Sequence, residues 1–132
     1  WWFSPPFYSH IGGYKICVGV CPNGSGKFKG SHVSLTFHLM RGPFDDELVW
    51  PFRGEITIQL INQKKMKSQQ EETITIHEDT VSEKATSRVM NGERNMAGFG
   101  FLQFVSHKQL ASLSGCLEND SLRVRILKIT AA

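Results

Sequence analysis

The sequence predicts an all-β antiparallel sandwich, on three observations. Apolar residues alternate with period two in several short runs, no stretch sustains a helical period, and the runs are separated by turn signals rich in Gly, Asn and Pro. With 132 residues, 40% of them hydrophobic and 20% charged, the chain has enough material for one packed core and too little for two. A single folded domain over residues 1–132 is the expectation.

Taken in order, Tyr14, Ile16, Val18 and Val20 share one face of an extended segment, while Lys15, Cys17 and Gly19 lie on the other. Val33, Leu35, Phe37 and Leu39 repeat the pattern. The intervening Cys21-Pro22-Asn23-Gly24-Ser25-Gly26 supplies the positive φ angles a connecting loop needs, so the two strands are predicted to pair. Ile56, Ile58 and Leu60 mark a third strand, Ile74 and Ile76 a fourth, residues 99–105 a fifth, and Leu122, Val124 and Ile126 a sixth, with Arg123 and Arg125 turned outward. Residues 64–72, charged and without apolar period, read as a solvated hairpin connection. Ser106 to Leu113 suits a short helical turn stopped by Gly115.

The strand around Phe99 departs from simple alternation. Leu102 and Phe104 are expected on one face and Phe99 and Phe101 on the other, whereas a two-layer sandwich needs only one apolar face per strand. The second pair of rings therefore calls for a covering loop or a ligand. Gly98 and Gly100, without side chains, allow another backbone to come close.

Composition excludes several functions. The 15 basic and 12 acidic residues are scattered, which offers no footprint for a phosphate backbone, and no apolar run reaches the length of a membrane span. The opening Trp1-Trp2-Phe3-Ser4-Pro5-Pro6 lacks the pattern of a signal peptide. Cys17, Cys21 and Cys116 match no disulfide framework or zinc knuckle, which favours free thiols in a reducing, cytoplasmic setting. Five scattered histidines and the adjacent pairs Glu71-Glu72 and Glu78-Asp79 offer no converging catalytic or metal-binding set, since neighbours on a strand point to opposite faces. No cofactor is expected. A lectin-like sandwich stacking sugars on Trp1, Trp2 and Trp50 is the alternative reading, although Trp50, before Pro51-Phe52, better suits packing.

The segments Ser4-Pro5-Pro6-Phe7-Tyr8, Gly13-Tyr14-Lys15-Ile16-Cys17 and Asn23-Gly24-Ser25-Gly26 resemble the TRAF domain of tumour-necrosis-factor-receptor-associated factors. The similarity continues through His32-Val33-Ser34-Leu35, Met40-Arg41-Gly42-Pro43, Trp50-Pro51-Phe52, Ile56 to Gln63 and Asp120-Ser121-Leu122-Arg123-Val124. Gly98-Phe99-Gly100-Phe101 is most similar to the branch that recognises Pro-x-Glu-x-x-aromatic/acidic peptides. The resemblance implies an eight-stranded sandwich of meprin-and-TRAF-homology type whose first strand lies upstream of Ser4. It also implies a trimerising coiled coil and RING and zinc-finger modules, with any ubiquitin-ligase activity, elsewhere in a longer parent protein.

By the same resemblance, the domain is an adaptor. It would bind, by β-augmentation, the cytoplasmic tails of TNF-receptor or Toll/interleukin-receptor-type receptors, or their adaptors and kinases, coupling them to NF-kappa-B and MAP kinase signalling. Carried over by position, Phe99 and Phe101 line a pocket for the motif's proline beside Met96, Ala97 and Gly98. The backbone at Ala85 and Thr86 receives its glutamate, and Trp1 and Phe3 meet its terminal aromatic. Gly19 stands where many relatives carry an Arg that meets the ligand's aromatic or acidic end. Its loss is expected to leave that last position permissive.

Overall fold

The computed structural model describes residues 1–119 and 121–132. Asp120, part of the final matched segment, lies outside the described residues. Two antiparallel sheets pack face to face. The first comprises β1 (Trp2–Phe3), β2 (Phe7–Tyr8), β3 (Lys15–Cys21), β4 (His32–Met40) and β7 (Phe99–Ser106), in the order β1-β3-β4-β7 with β2 also paired to β3. The second is β6 (Lys67–Ile76), β5 (Gly54–Asn62) and β8 (Val124–Ala131), with β5 in the middle. The predicted pairing of the first two long strands is present, with Ile16 opposite Leu39, Val18 opposite Phe37 and Val20 opposite Leu35.

The alternation places one apolar face of each sheet in a common core. Ile16, Leu35, Phe37 and Leu39 meet Ile56, Ile58, Leu60 and Ile76 there, all essentially without exposure. Tyr14 enters the same cluster with its ring edge-on to Trp50 and Phe52, and its hydroxyl donates to the Val49 carbonyl. The Trp50 indole donates to the Asp45 carbonyl (3.0 Å), so Trp50 is a packing residue here. The short helix α2 (His107–Ser112) closes one end: Ser106 and Gln109 form a reciprocal capping box, and Leu110 is buried beneath.

Three local expectations are corrected. Residues 67–72 are strand and not loop, because β6 is an edge strand whose side chains mostly face water, which erases the apolar period by which a strand is recognised. The turn is shorter, and Asn62 starts it by accepting from the N–H groups of Lys64 and Lys65 (both 3.1 Å). The sixth strand runs on to Ala131, and a bulge between Thr57 and Ile58 shifts its alternation.

The third correction concerns β7. Leu35 opposes Phe101 and Val33 opposes Val105, so Leu102, Gln103 and Phe104 share one partner, Ser34. The Ser34 hydroxyl donates to the Leu102 carbonyl (2.6 Å) and the Gln70 amide to the Phe104 carbonyl (2.8 Å), which satisfies the bulge. Because the bulge resets which way the strand faces, Phe104 and Phe99 both point into the core, Phe101 packs against it, and Leu102 turns to solvent. The expected division of Leu102 and Phe104 from Phe99 and Phe101 therefore does not hold.

Each sheet ends on an open flank: among the described residues, neither β7 nor β8 has a strand on its outer edge. Beside β8 an apolar groove of about 900 Å³ opens, walled by Trp2, Phe7, Val18 and Val20 on one side and Val124 and Ile126 on the other.

Candidate functional site

Four strands place one residue each in a row across the outer face of the first sheet. Phe3 on β1 opposes Gly19, Gly19 opposes Thr36 on β4, and Thr36 opposes Gly100 on β7. A Cβ at Gly19 would come 2.9 Å from the Phe3 ring, so the missing side chain is what lets that ring lie down on the sheet. The neighbouring row holds Cys17 and His38, which are register partners, and a Cβ at Gly98 would strike the His38 ring at 2.6 Å. Gly19, Phe3 and Gly98 thus belong to one patch, with Thr36 and His38 at its centre.

His38 is held from both sides. Its Nδ1 is 3.0 Å from the Asn95 carbonyl and must donate there, because a carbonyl can only accept; Nε2 then accepts from the Thr36 hydroxyl at 2.8 Å. Phe3 stands edge-on to the imidazole at 5.3 Å. Burial keeps the ring neutral below the ordinary histidine range, the nearby Arg94 adds to that, and the Asn95 hydrogen bond opposes it. Burial likewise pushes the Cys17 thiol up, partly countered by Arg94, so Cys17 is an inert protonated residue under the patch.

This arrangement has a pH consequence. Below the ordinary histidine value of 6.5 the unfolded chain takes up a proton at His38 that the folded chain resists, so folding stability falls as pH falls through that value. Urea denaturation between about pH 7 and pH 5 should show this loss, and His38→Gln should flatten it. An unaltered slope in the variant would place the titration elsewhere.

The remaining sequence-predicted residues divide into two groups. Met96, 85% exposed, with Ala97 and Gly98 leads into β7 beside the patch. Phe99, only 3% exposed, is in the core, stacked 6.0 Å from both Phe37 and Phe52, and Phe101 is half-buried. Ala85 and Thr86 are buried in the single-turn helix α1 (Glu83–Thr86): the Ala85 N–H donates to the Ser82 carbonyl and the Thr86 carbonyl accepts from Phe52. Those two groups are spent inside the chain. Trp1, just before β1, is exposed.

Sequence reasoning missed Thr36, His38, Arg94 and Asn95. The first two had a signal, being the polar alternates between Leu35, Phe37 and Leu39. The other two lie on a segment without periodicity, which meets the end of β4 where Met40 bridges Arg94 and Asn95 donates to the Leu39 carbonyl.

The sequence matches the family "TRAF/meprin, MATH domain" over residues 1–125. It is 38% identical over 125 residues to TNF receptor-associated factor 5 of Mus musculus, an alignment covering 94% of this chain and 22% of that protein. It is 30% identical over 125 residues to TNF receptor-associated factor 2 of Homo sapiens, covering 95% and 24%. The chain spans about a fifth of the length of these relatives. The solved structure of Notothenia coriiceps TRAF5 superposes with a TM-score of 0.82 at 26% identity, covering 98% of this chain and 61% of that one.

Proposed function

The chain belongs to the TRAF/meprin MATH-domain family, and on that premise we propose that it captures extended peptides as an added strand along the free edge of β7. The observation that carries this reading is the position of β7 at the end of the sheet order, its outer edge without a partner among the described residues. An unpaired strand edge presents N–H and C=O groups that another chain can use. Beside that edge lie an exposed Met96, the small residues Ala97, Gly98 and Gly100, and the half-buried ring of Phe101. Apolar, low-relief surroundings suit a proline, which also has little conformational freedom to lose on binding.

The ligand in this reading carries a Pro-x-Glu-x-x-aromatic/acidic motif. It comes from the cytoplasmic tail of a TNF-receptor or Toll/interleukin-receptor-type protein, or from an adaptor or kinase that serves one. The parent protein would then act as a cytoplasmic adaptor feeding ubiquitin, NF-kappa-B and MAP kinase signalling, its weak single-site binding strengthened by trimerisation. A further strand of the domain would lie along β8 and cover the apolar groove there. Buried Phe99 supports the strand from behind, and Phe101 is the ring left to touch a ligand.

Calorimetry with a synthetic Pro-Ala-Glu-Ala-Ala-Phe peptide tests the proposal. Phe101→Ala should weaken binding by about 1–3 kcal/mol, the range for an aromatic anchor. N-methylation of alternate peptide amides should weaken it about tenfold or more, because each methyl removes a strand-pairing donor worth about a kilocalorie. Equal affinity for the methylated and unmethylated peptides would sink β-augmentation.

A further inference from the structure

The inward positions of β6 change character along the strand. From its C-terminal end they run Ile76, Ile74, Glu72 and Gln70, so the apolar alternation that fills the core gives way to two half-buried polar residues. Leu60, the register partner of Gln70, is fully buried, so an apolar side chain at position 70 would have had a neighbour to pack against. The amide is there for another reason.

Gln70 reaches across to the other sheet. Its Nε2 donates to the Phe104 carbonyl at 2.8 Å and to the Glu72 carboxylate at 3.3 Å, which uses both amide hydrogens and fixes the orientation of the group. Phe104 belongs to the bulge and has no register partner on β4. Its carbonyl is a main-chain acceptor of the kind an added strand pairs with, and the Gln70 nitrogen stands at the distance a ladder N–H would take up. A side chain from β6 therefore closes the β7 edge at this point. Before the bulge the strand is regular: Phe99, Gly100 and Phe101 oppose Phe37, Thr36 and Leu35 in unbroken order.

We propose that Gln70 is a specificity-determining residue that ends main-chain capture on β7, so that an added peptide pairs along the stretch around Phe99 to Phe101 and stops short of Phe104. The assignment rests on peptide capture at the β7 edge, and it adds a limit on the length and register of the ligand. An open strand edge invites indiscriminate pairing unless something interrupts it. A cap at the bulge admits a short motif and denies a long strand the continuous row of pairing groups it needs.

The test compares the hexamer Pro-Ala-Glu-Ala-Ala-Phe with two nonamers that add Thr-Val-Thr at its N-terminus or its C-terminus, all capped at both ends. Each is titrated into wild-type and Gln70→Ala domains, and the readout is the ratio of nonamer to hexamer affinity within one form, which cancels any general effect of the substitution on folding. In the wild type both ratios should be about one. In Gln70→Ala the nonamer that reaches Phe104 should bind about three- to tenfold tighter than the hexamer, the gain from an extra main-chain hydrogen bond. N-methylation of the three added amides should abolish that gain. A gain from extension in the wild type, which needs no variant to measure, overturns the cap while leaving β7-edge capture standing. So does the absence of a gain in Gln70→Ala, or a gain that survives N-methylation. Failure of the hexamer to bind the wild type overturns the edge reading and the cap with it.

Discussion

Phe99→Ala is expected to lower folding stability by about 3–5 kcal/mol, the cost of emptying a buried phenylalanine site. The ring is 3% exposed and stacks between Phe37 of the same sheet and Phe52, so its loss leaves a cavity bounded by the central strand β4 on one side. Neither neighbour can collapse readily into the space. Phe37 is itself packed in the core, and Phe52 is pinned by its backbone N–H to the Thr86 carbonyl (2.8 Å). For a domain with the usual stability of about 5–15 kcal/mol this is a large fraction, and urea denaturation would report it directly. Phe99→Leu, which keeps most of the volume, should cost about 1–2 kcal/mol. If Phe99→Ala instead unfolded at the wild-type midpoint while losing peptide affinity, the ring would be a ligand contact and the core assignment would fall.

Gly100→Ala should destabilise the domain by about 2–4 kcal/mol, through overpacking and backbone strain together. A Cβ at this position would collide with the Leu35 carbonyl oxygen and lie 3.0 Å from the Thr36 Cα, and both contacts are with backbone. Strand β4 cannot retreat, because β3 holds it from the other side in continuous register from Lys15 to Cys21. Gly98→Ala makes an informative comparison. Its Cβ would meet chiefly the His38 ring, a side chain that can tilt at the expense of its hydrogen bonds, so a smaller loss is expected. Equal loss in the two variants would show that the Gly100 contact is not the limiting one. Gly100 thus marks the place where the chain's own strand β4 comes close, the close approach that a strand glycine signals.

Much of the architecture was legible residue by residue. The alternation of Tyr14 to Val20 and of Val33 to Leu39, and the turn residues between them, predicted two strands, their pairing and the face each buries. The same local signals failed at β6, where an edge strand has little apolar surface to bury, and at β7, where the bulge opposite Ser34 broke the parity on which the assignment of Phe99 and Phe101 depended. The candidate site followed the same division. The motif containing Gly98, Phe99, Gly100 and Phe101 stood out from the sequence, but which of its rings face a ligand did not.

By itself the sequence determined the fold class and the family resemblance, because hydrophobic period, turn chemistry and motif order are properties of neighbouring residues. The tertiary structure alone decided that Phe99 belongs to the core, that β7 has no strand on its outer edge among the described residues, and that Arg94 rests on Phe3 above Gly19. Those last three residues come from separate parts of the chain, and only the stacking of strands β1, β3 and β4 brings them together. A contact between residues so far apart along the chain leaves no periodicity to read, so its chemistry becomes visible only once the sheets are assembled.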